Sequence, residues 1–425
     1  MNRPGRQLGY LCVTALALTS ALVGARPAKA DAVTDWNAIM QTTVASSNPH
    51  FQSRAGAIVH LAVFEAVNAI GGDYEPYLGT IVAPPWASPE AAAVAAAHRT
   101  LITLYPGSAM TLNAARTASL AAIPDGPAED AGIAAGEAAA SAMLQLRAND
   151  GSAQANSVPY TPGTEPGEWR PIPSNGVPSL PGWGQVAPFG LLSGSQFRLP
   201  PPPALHTGRY ANDLNEVKLR GRANAPLDVR PQDRTDVARF FAAASPVQVW
   251  NSTARQITAV QDFSVSENAR NFALLAMAMG DASIASYETK YHYNLWRPQA
   301  AIWEAALDGN RHTDADPTWT PLIPTPLFPS YASAHATLSG SARVVLERLF
   351  GEHGHDFTLT NPNNPVVAHI VLRYTAFKEV CADIDDARVY GGIHFRFEQE
   401  AGALQGRKVG NYILTHCLRP AHGQD

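Results

Sequence analysis

Three things are scarce in this 425-residue chain: cysteine, charge, and any strand-like alternation of apolar and polar residues. Three cysteines, one of them Cys12 in a leader-like stretch, leave only Cys381 and Cys417, which excludes a multiply cross-linked scaffold. Charged residues are 16% of the chain against 46% hydrophobic, so the composition is that of a globular protein with a sizeable core, in one large domain or two modest ones. Once the first thirty residues are set aside, 27 basic side chains face 36 acidic ones, a formal −9. That balance removes the electrostatic case for nucleic acid. Any cluster of cations on such a chain is therefore local and specific. After residue 30 no apolar stretch reads as a membrane span.

Residues 1–30 carry Arg3 and Arg6, then the run "LGYLCVTALALTSALVGA", then "AKA" at 28–30. This is the layout of a signal peptide cleaved before Asp31, and it implies a secreted or periplasmic protein with no membrane attachment after cleavage. In an oxidising compartment two outcomes are open for Cys381 and Cys417. One is a disulfide, stabilising by about 4 kcal/mol in the chain-entropy account; the other is two buried thiols on separate helices.

Helical periodicity dominates. Segments at 54–72, 88–105 and 128–151 read as helices, with Ser88 a cap before Pro89 and with Gly71-Gly72 a stop. Further helices are expected near 207–222, 231–243, 266–296, 333–350, 365–387 and 393–417. The stretch from about 159 to 205 is too rich in Pro and Gly for regular structure yet studded with Trp, Phe and Leu, and reads as a packed crossing loop. The fold class is all-α, in two helical halves, 31–205 and 206–425.

Three clusters carry chemistry. In "YETKYHYNLWRPQAAI" (287–302), Lys290 and Arg297 stand seven residues apart, nearly two helical turns, so a continuous helix would project both cations from one face. Two like charges held together await an anion, although cations at a helix C-terminus also suit the macrodipole. "EWRPIP" (168–173) repeats Trp-Arg-Pro without a matching lysine, so Arg-Pro alone means little. In "FPSYASAHAT" (328–337), prolines hold the chain extended before a helix start, where Ser333, Ala334 and His335 could offer a hydroxyl, amides and an imidazole to an anion. The plain alternative is that Ser333 only caps the helix. In "ARVYGGIHFRFEQE" (387–400), Gly391-Gly392 break a helix between Arg388 and His394, letting both turn to one point, and Glu398 follows one turn later to hold the imidazole.

Taken together, the order is Lys, six residues, Arg-Pro; then Pro-Ser, two residues, Ser-Ala-His; then Arg, five residues, His, three residues, Glu. It resembles the superfamily of vanadium-dependent haloperoxidases and type 2 phosphatidic acid phosphatases. Likeness to the bacterial secreted haloperoxidases extends through "RAGAIVHLAVFEAVNAI", "ENARNFALLAMAMGDASIASYETKYHYNLWRP" and "DGNRHTDADPTWTPLIPTP". The resemblance implies a helical bundle of the vanadium haloperoxidase/acid phosphatase type, with vanadate as cofactor. His394 would bind the metal; Lys290, Arg297 and Arg388 would neutralise its oxygens, with the Ser333 hydroxyl and Ala334 amide as further donors. His335 would be the acid–base residue and Lys290 would polarise peroxide. Substrates would be hydrogen peroxide, halide and a small organic acceptor, the product hypohalous acid. Two positions depart from the family pattern: Ala334 where glycine is usual, which keeps its amide, and Ala387 where serine is usual, which removes a hydroxyl contact. Phe328 lies where the family's halide preference is linked to an aromatic or histidine.

Two other readings use the same residues. A secreted acid phosphatase would employ His394 as a phosphohistidine nucleophile and His335 as the acid, and a non-catalytic phosphate-binding protein would keep only the bundle. "EHGHD" (352–356) has metal-ligand types but reads as a polar loop, and "DGNRHTDAD" (308–316) lacks the glycine and glutamate of a calcium loop. Asp233 and Asp236 are the carboxylates considered for orienting His335.

Overall fold

A computed structural model describes residues 31–421; the stretch read as a signal peptide, Cys12 included, lies outside the described residues. Thirteen α-helices occur among them. In order these are α1 (Ala32–Val44), α2 (Pro49–Gly71), α3 (Pro89–Leu104), α4 (Ala109–Leu120), α5 (Pro127–Arg147), α6 (Gly208–Arg220), α7 (Gln232–Ala243), α8 (Pro246–Thr258), α9 (Val265–Tyr293), α10 (Pro298–Trp303), α11 (Ala334–Phe350), α12 (Phe377–Tyr390) and α13 (Arg396–His416). Local chemistry sets the ends: Ser88 Oγ accepts from Ala91 N at 3.1 Å, Ser264 and Glu267 form a reciprocal capping box, and Gly72 closes α2 at φ 72°.

The centre is α9, buried almost all round from Asn268 to Lys290, as its apolar and small residues lead one to expect. It packs on α2 and α3 on one side and on α11 and α13 on the other. Glycines at 402, 406 and 410 put a bare backbone on one face of α13 every fourth residue; a Cβ at Gly402 would lie 2.6 Å from Ser333 O. That close approach of α13 to α11 sets the third motif against the second. α2 is long and apolar enough to cross a membrane, contrary to the expectation of no such stretch, but it is mostly enclosed in the core.

Several boundaries differ from the sequence reading. The helix expected at 365–387 begins only at Phe377, because Val371–Tyr374 pairs with Phe357–Thr360 as a two-stranded antiparallel hairpin, β1 and β2. Strands of four residues are too short to show alternation against a helical background. The 266–296 helix stops at Tyr293, where Asn294 turns left-handed at φ 53°. Both cysteines are free: Cys381 sits on α12 beside Ser339 O, and Cys417 lies at the end of α13. Burial raises both thiols, Cys417 to about 11.

Two histidines on α2 bear on stability. His60 Nε2 accepts from Asn37 Nδ2 at 2.7 Å and its ring stacks on Phe272, and His50 lies near Ser283; burial foremost, then Arg255 for His60 and Lys290 for His50, lowers each to about 3. The folded state therefore holds them neutral while an unfolded imidazole takes its proton near 6.5, so their stabilisation is lost as pH falls below that value. At pH 5 the loss is about 2 kcal/mol for each. In urea unfolding at pH 7 and pH 5, a His60→Gln variant should show a pH-dependent loss smaller than the wild type's by that amount.

Candidate active site

Lys290 and Arg297 do converge, though not as two residues on one helix face. Lys290 ends the last buried turn of α9, the chain breaks at Asn294, and Arg297 is the residue preceding α10. The break is held by the very segment that repeats Trp-Arg-Pro: Trp169 N donates to Asn294 O at 2.8 Å and Trp296 N to Gly167 O at 2.9 Å. Arg170 of that segment points elsewhere and pairs with Glu304. Both cations then grip the second motif. Lys290 Nζ donates to Ser330 O at 2.7 Å and Pro329 O at 3.2 Å, and Arg297 Nε donates to Phe328 O at 2.8 Å. The Phe328 ring lies 4.6 Å from the Arg297 guanidinium carbon and 5.3 Å from Lys290 Nζ.

Ser333 caps α11, its Oγ accepting from Ala336 N at 3.4 Å, so the plain reading holds; the same residue is also wholly buried between the other two motifs, its N–H donating to Glu398 O at 3.1 Å. Ala334 and His335 open the helix, where first-turn N–H groups have no intrahelical acceptor.

The third motif bends as its glycines require. α12 closes at Gly391, Gly392 takes φ 81°, and a Cβ there would meet Gly221 O at 2.5 Å. Arg388 at the end of α12 and His394 before α13 are thereby turned inward. Arg388 Nη1 donates to Phe241 O at 3.1 Å; Arg297 Nη1 donates to Ile393 O at 2.9 Å and lies 3.2 Å from His394 Nε2. Glu398 Oε2, fully buried, sits 2.5 Å from His394 Nδ1 and also accepts from Ser330 Oγ at 2.9 Å and Phe395 N at 3.1 Å. Glu398 thus ties the second motif to the third, and leaves His394 Nε2 as the nitrogen facing the cations.

The electrostatics are those of a cage built for an anion. Burial first, then the charge of Arg297, lowers Arg388 to about 9; burial lowers Arg297 to about 10, and holds Lys290 well below its ordinary value with Arg297 adding to the effect. Glu398 is raised to about 7, burial outweighing Lys290 and Arg297. One carboxylate against three buried cations leaves positive charge uncompensated, and Arg297 Nη2 and Arg388 Nε have no partner although buried. A tetrahedral oxyanion would take up those donors, and the imidazole nitrogen would ligate a metal at its centre. Among the described residues no group of three His, Cys, Asp or Glu side chains gathers as a cation site; His353 is exposed and His355 Nε2 bonds Gly351 O at 2.9 Å. The 308–316 loop is internally satisfied, Asp308 Oδ1 accepting from Asn310 N at 2.7 Å.

His335 lies at the edge of the cage within the fields of Arg388, His50 and Lys290, and burial followed by those groups holds it well below its ordinary value, opposed by a hydrogen bond to the Phe241 carbonyl. Neither Asp233 nor Asp236 orients it: Asp233 pairs with Arg234 at 2.9 Å and Asp236 accepts from Gln232 Nε2 at 2.8 Å. The Phe241 backbone, shared with Arg388, does that work, and a main-chain carbonyl leaves no mark in sequence. Sequence reasoning also missed His50 and Tyr287, whose rings pack together with Tyr287 against Phe328, and the role of Ser330.

An all-α bundle that gathers buried cations around an imidazole, with a histidine at its rim, forms a site suited to an oxyanion. A family model described as the VCPO second helical-bundle domain matches residues 270–423, which include every cage residue. The vanadium chloroperoxidase of Curvularia inaequalis is 25% identical over 209 residues, 37% of this chain and 34% of that protein, so the alignment spans about a third of the curated relative. A crystal structure of the first bacterial vanadium-dependent iodoperoxidase superposes with a TM-score of 0.76 at 25% identity, covering 92% of this chain and 96% of that one. A holo-type bacterial vanadium-dependent chloroperoxidase shares the fold at a TM-score of 0.73 and 16% identity, over 93% and 99% of the two chains. By sequence over its second half and by fold over most of its length, the chain is similar to vanadium-dependent haloperoxidases.

Proposed function

We propose that the protein is a vanadate-dependent haloperoxidase that converts hydrogen peroxide, a halide ion and a proton to hypohalous acid and water, for use on a small organic acceptor. The observation that carries this is the buried cage of Lys290, Arg297 and Arg388, with unfilled N–H groups on both arginines beside the Glu398-held imidazole of His394. Vanadate, when bound, supplies a Lewis acid that activates peroxide without a change of oxidation state. Lys290, Arg297 and Arg388 would neutralise its oxygens, the Ser333 hydroxyl and Ala334 amide would donate to them, and His394 Nε2 would ligate the metal. His335, held neutral by burial and then by its cationic neighbours, is ready to accept a peroxide proton and return it. Lys290, with one N–H beyond its two carbonyl partners, would supply positive charge to the reacting oxygen. Export is part of the proposal, and a mature N-terminus at Asp31 in the exported protein is its test.

The deciding experiment compares peroxide-dependent bromination of a chromogenic acceptor with hydrolysis of an aryl phosphate, with and without added vanadate. Bromination that requires vanadate upholds the proposal. Hydrolysis that vanadate inhibits would assign the site to a phosphatase with His394 as nucleophile, and neither activity would leave a phosphate-binding protein.

A further inference from the structure

Away from the cage, α1, α7, α8 and the end of β1 enclose a cleft of about 330 Å³ that is lined by none of the cage residues. Arg255 of α8 lines it and has no carboxylate partner among the described residues; burial lowers its pKa and no acid opposes the shift. Its Nη1 donates to Asn37 Oδ1, and Asn37 Nδ2 donates to Asn251 Oδ1 at 2.6 Å, so neutral amides anchor the guanidinium and leave its charge unpaired. In a chain with more acids than bases, a half-buried arginine without a counter-ion calls for an anion from outside. Gln41 of α1 lines the same cleft. It is 7% exposed, and neither its amide nitrogen nor its amide oxygen has a partner among the described residues. A buried donor and acceptor left unfilled are costly, and one amide group of a ligand would fill both.

The hairpin adds main-chain groups to this wall. Thr358 N donates to Gln256 Oε1 at 3.0 Å and Thr358 O accepts from Gln256 Nε2 at 2.9 Å, so Thr358 faces away from β2, on the outer edge of the pair. Gln256 thus covers with a side chain what a further strand would pair with, and among the described residues the sheet has two strands only. Thr360, two residues on and lining the cleft, turns its N–H and C=O to the same edge. An extended backbone laid there finds one donor and one acceptor. Ala38, Phe240, Val249 and Leu359 make up the apolar part of the lining and suit an aliphatic side chain. A guanidinium, an unfilled amide and a strand edge around one cleft match the last residues of an extended peptide: carboxylate, side chain, peptide unit.

We propose that the cleft between α1, α8 and the β1 edge binds the C-terminal end of a short peptide, with Arg255 on the carboxylate, Gln41 on the adjoining amide and Thr360 on the next peptide unit. This site does not depend on halide or peroxide chemistry. The experiment titrates acetyl-alanyl-leucine, with a free carboxylate, into the full-length protein by calorimetry. The same compound with an amidated C-terminus should bind at least tenfold more weakly, and N-acetyl-leucine, which lacks the unit for Thr360, about tenfold more weakly. Gln41→Leu removes two unfilled polar atoms from a buried position, so its Tm should stay or rise while peptide affinity falls about tenfold. Arg255→Gln should lose tenfold or more and abolish the preference for the free carboxylate.

Equal binding of the free and amidated peptides, or no binding of either at millimolar concentration, would overturn the site. Unchanged affinity in the Gln41→Leu variant would overturn it too, and that variant keeps the test sound if Arg255→Gln fails to fold. Excess vanadate should leave peptide binding as it is; displacement by vanadate would place the carboxylate in the oxyanion cage and overturn the proposal.

Discussion

Replacing Arg297 with alanine weakens vanadate binding about a thousandfold. The estimate follows from the charge lost: a cation about 4 Å from an anionic oxygen is worth roughly 4 kcal/mol at an effective dielectric of 20, and each 1.4 kcal/mol is a factor of ten. Arg297 is placed for the full effect. Its Nε and Nη1 are fixed on Phe328 O and Ile393 O, so the guanidinium is held without rotation, and its Nη2 is buried with no partner. It also joins the 328–330 segment to the residue preceding His394, so the alanine variant loosens two motifs at once. Arg297→Lys should fall between, keeping the charge and losing the fork. Isothermal titration of vanadate into each variant measures this directly, and an Arg297→Ala affinity within tenfold of wild type would remove the residue from the cage.

His335→Ala separates binding from turnover. Its ring is neutral and hydrogen-bonded to the Phe241 carbonyl at the edge of the cage, so its loss removes no charge from the anion site. Vanadate affinity should therefore change by about tenfold at most, the scale of one neutral hydrogen bond. Turnover should fall by roughly 10²- to 10⁴-fold, the range for removing a positioned acid–base group. Steady-state bromination with vanadate saturating gives the kcat, and titration gives the affinity. Equal losses in both would make His335 an oxyanion ligand instead of a proton carrier.

Why the cage was legible in sequence and its rim was not has a physical explanation. Lys290, Arg297, Ser333, Arg388 and His394 announce themselves because each is fixed by local chemistry: a helix end, a capped helix start, a glycine break. Glu398 was legible for the same reason, one turn after His394. The geometry between Lys290 and Arg297 was not, since the break at Asn294 depends on a strap from residues 167–169 more than a hundred positions earlier. His50 enters through the packing of α2 on α9, with no spacing that relates it to the motifs. The carboxylate sought for His335 proved to be a backbone carbonyl, for which any residue at position 241 would read alike. The hairpin at 357–374 was hidden by its brevity, and the free cysteines follow from helices that place them apart.

The central claim is that one oxyanion site is assembled from Lys290, Arg297, Ser333, Ala334, Arg388 and His394. A crystal structure of the protein soaked in orthovanadate tests it most directly. The account predicts a single anomalous vanadium peak at bonding distance from His394 Nε2, with the three cations on its oxygens. A vanadium peak elsewhere, or none with the cage residues splayed apart, would contradict it.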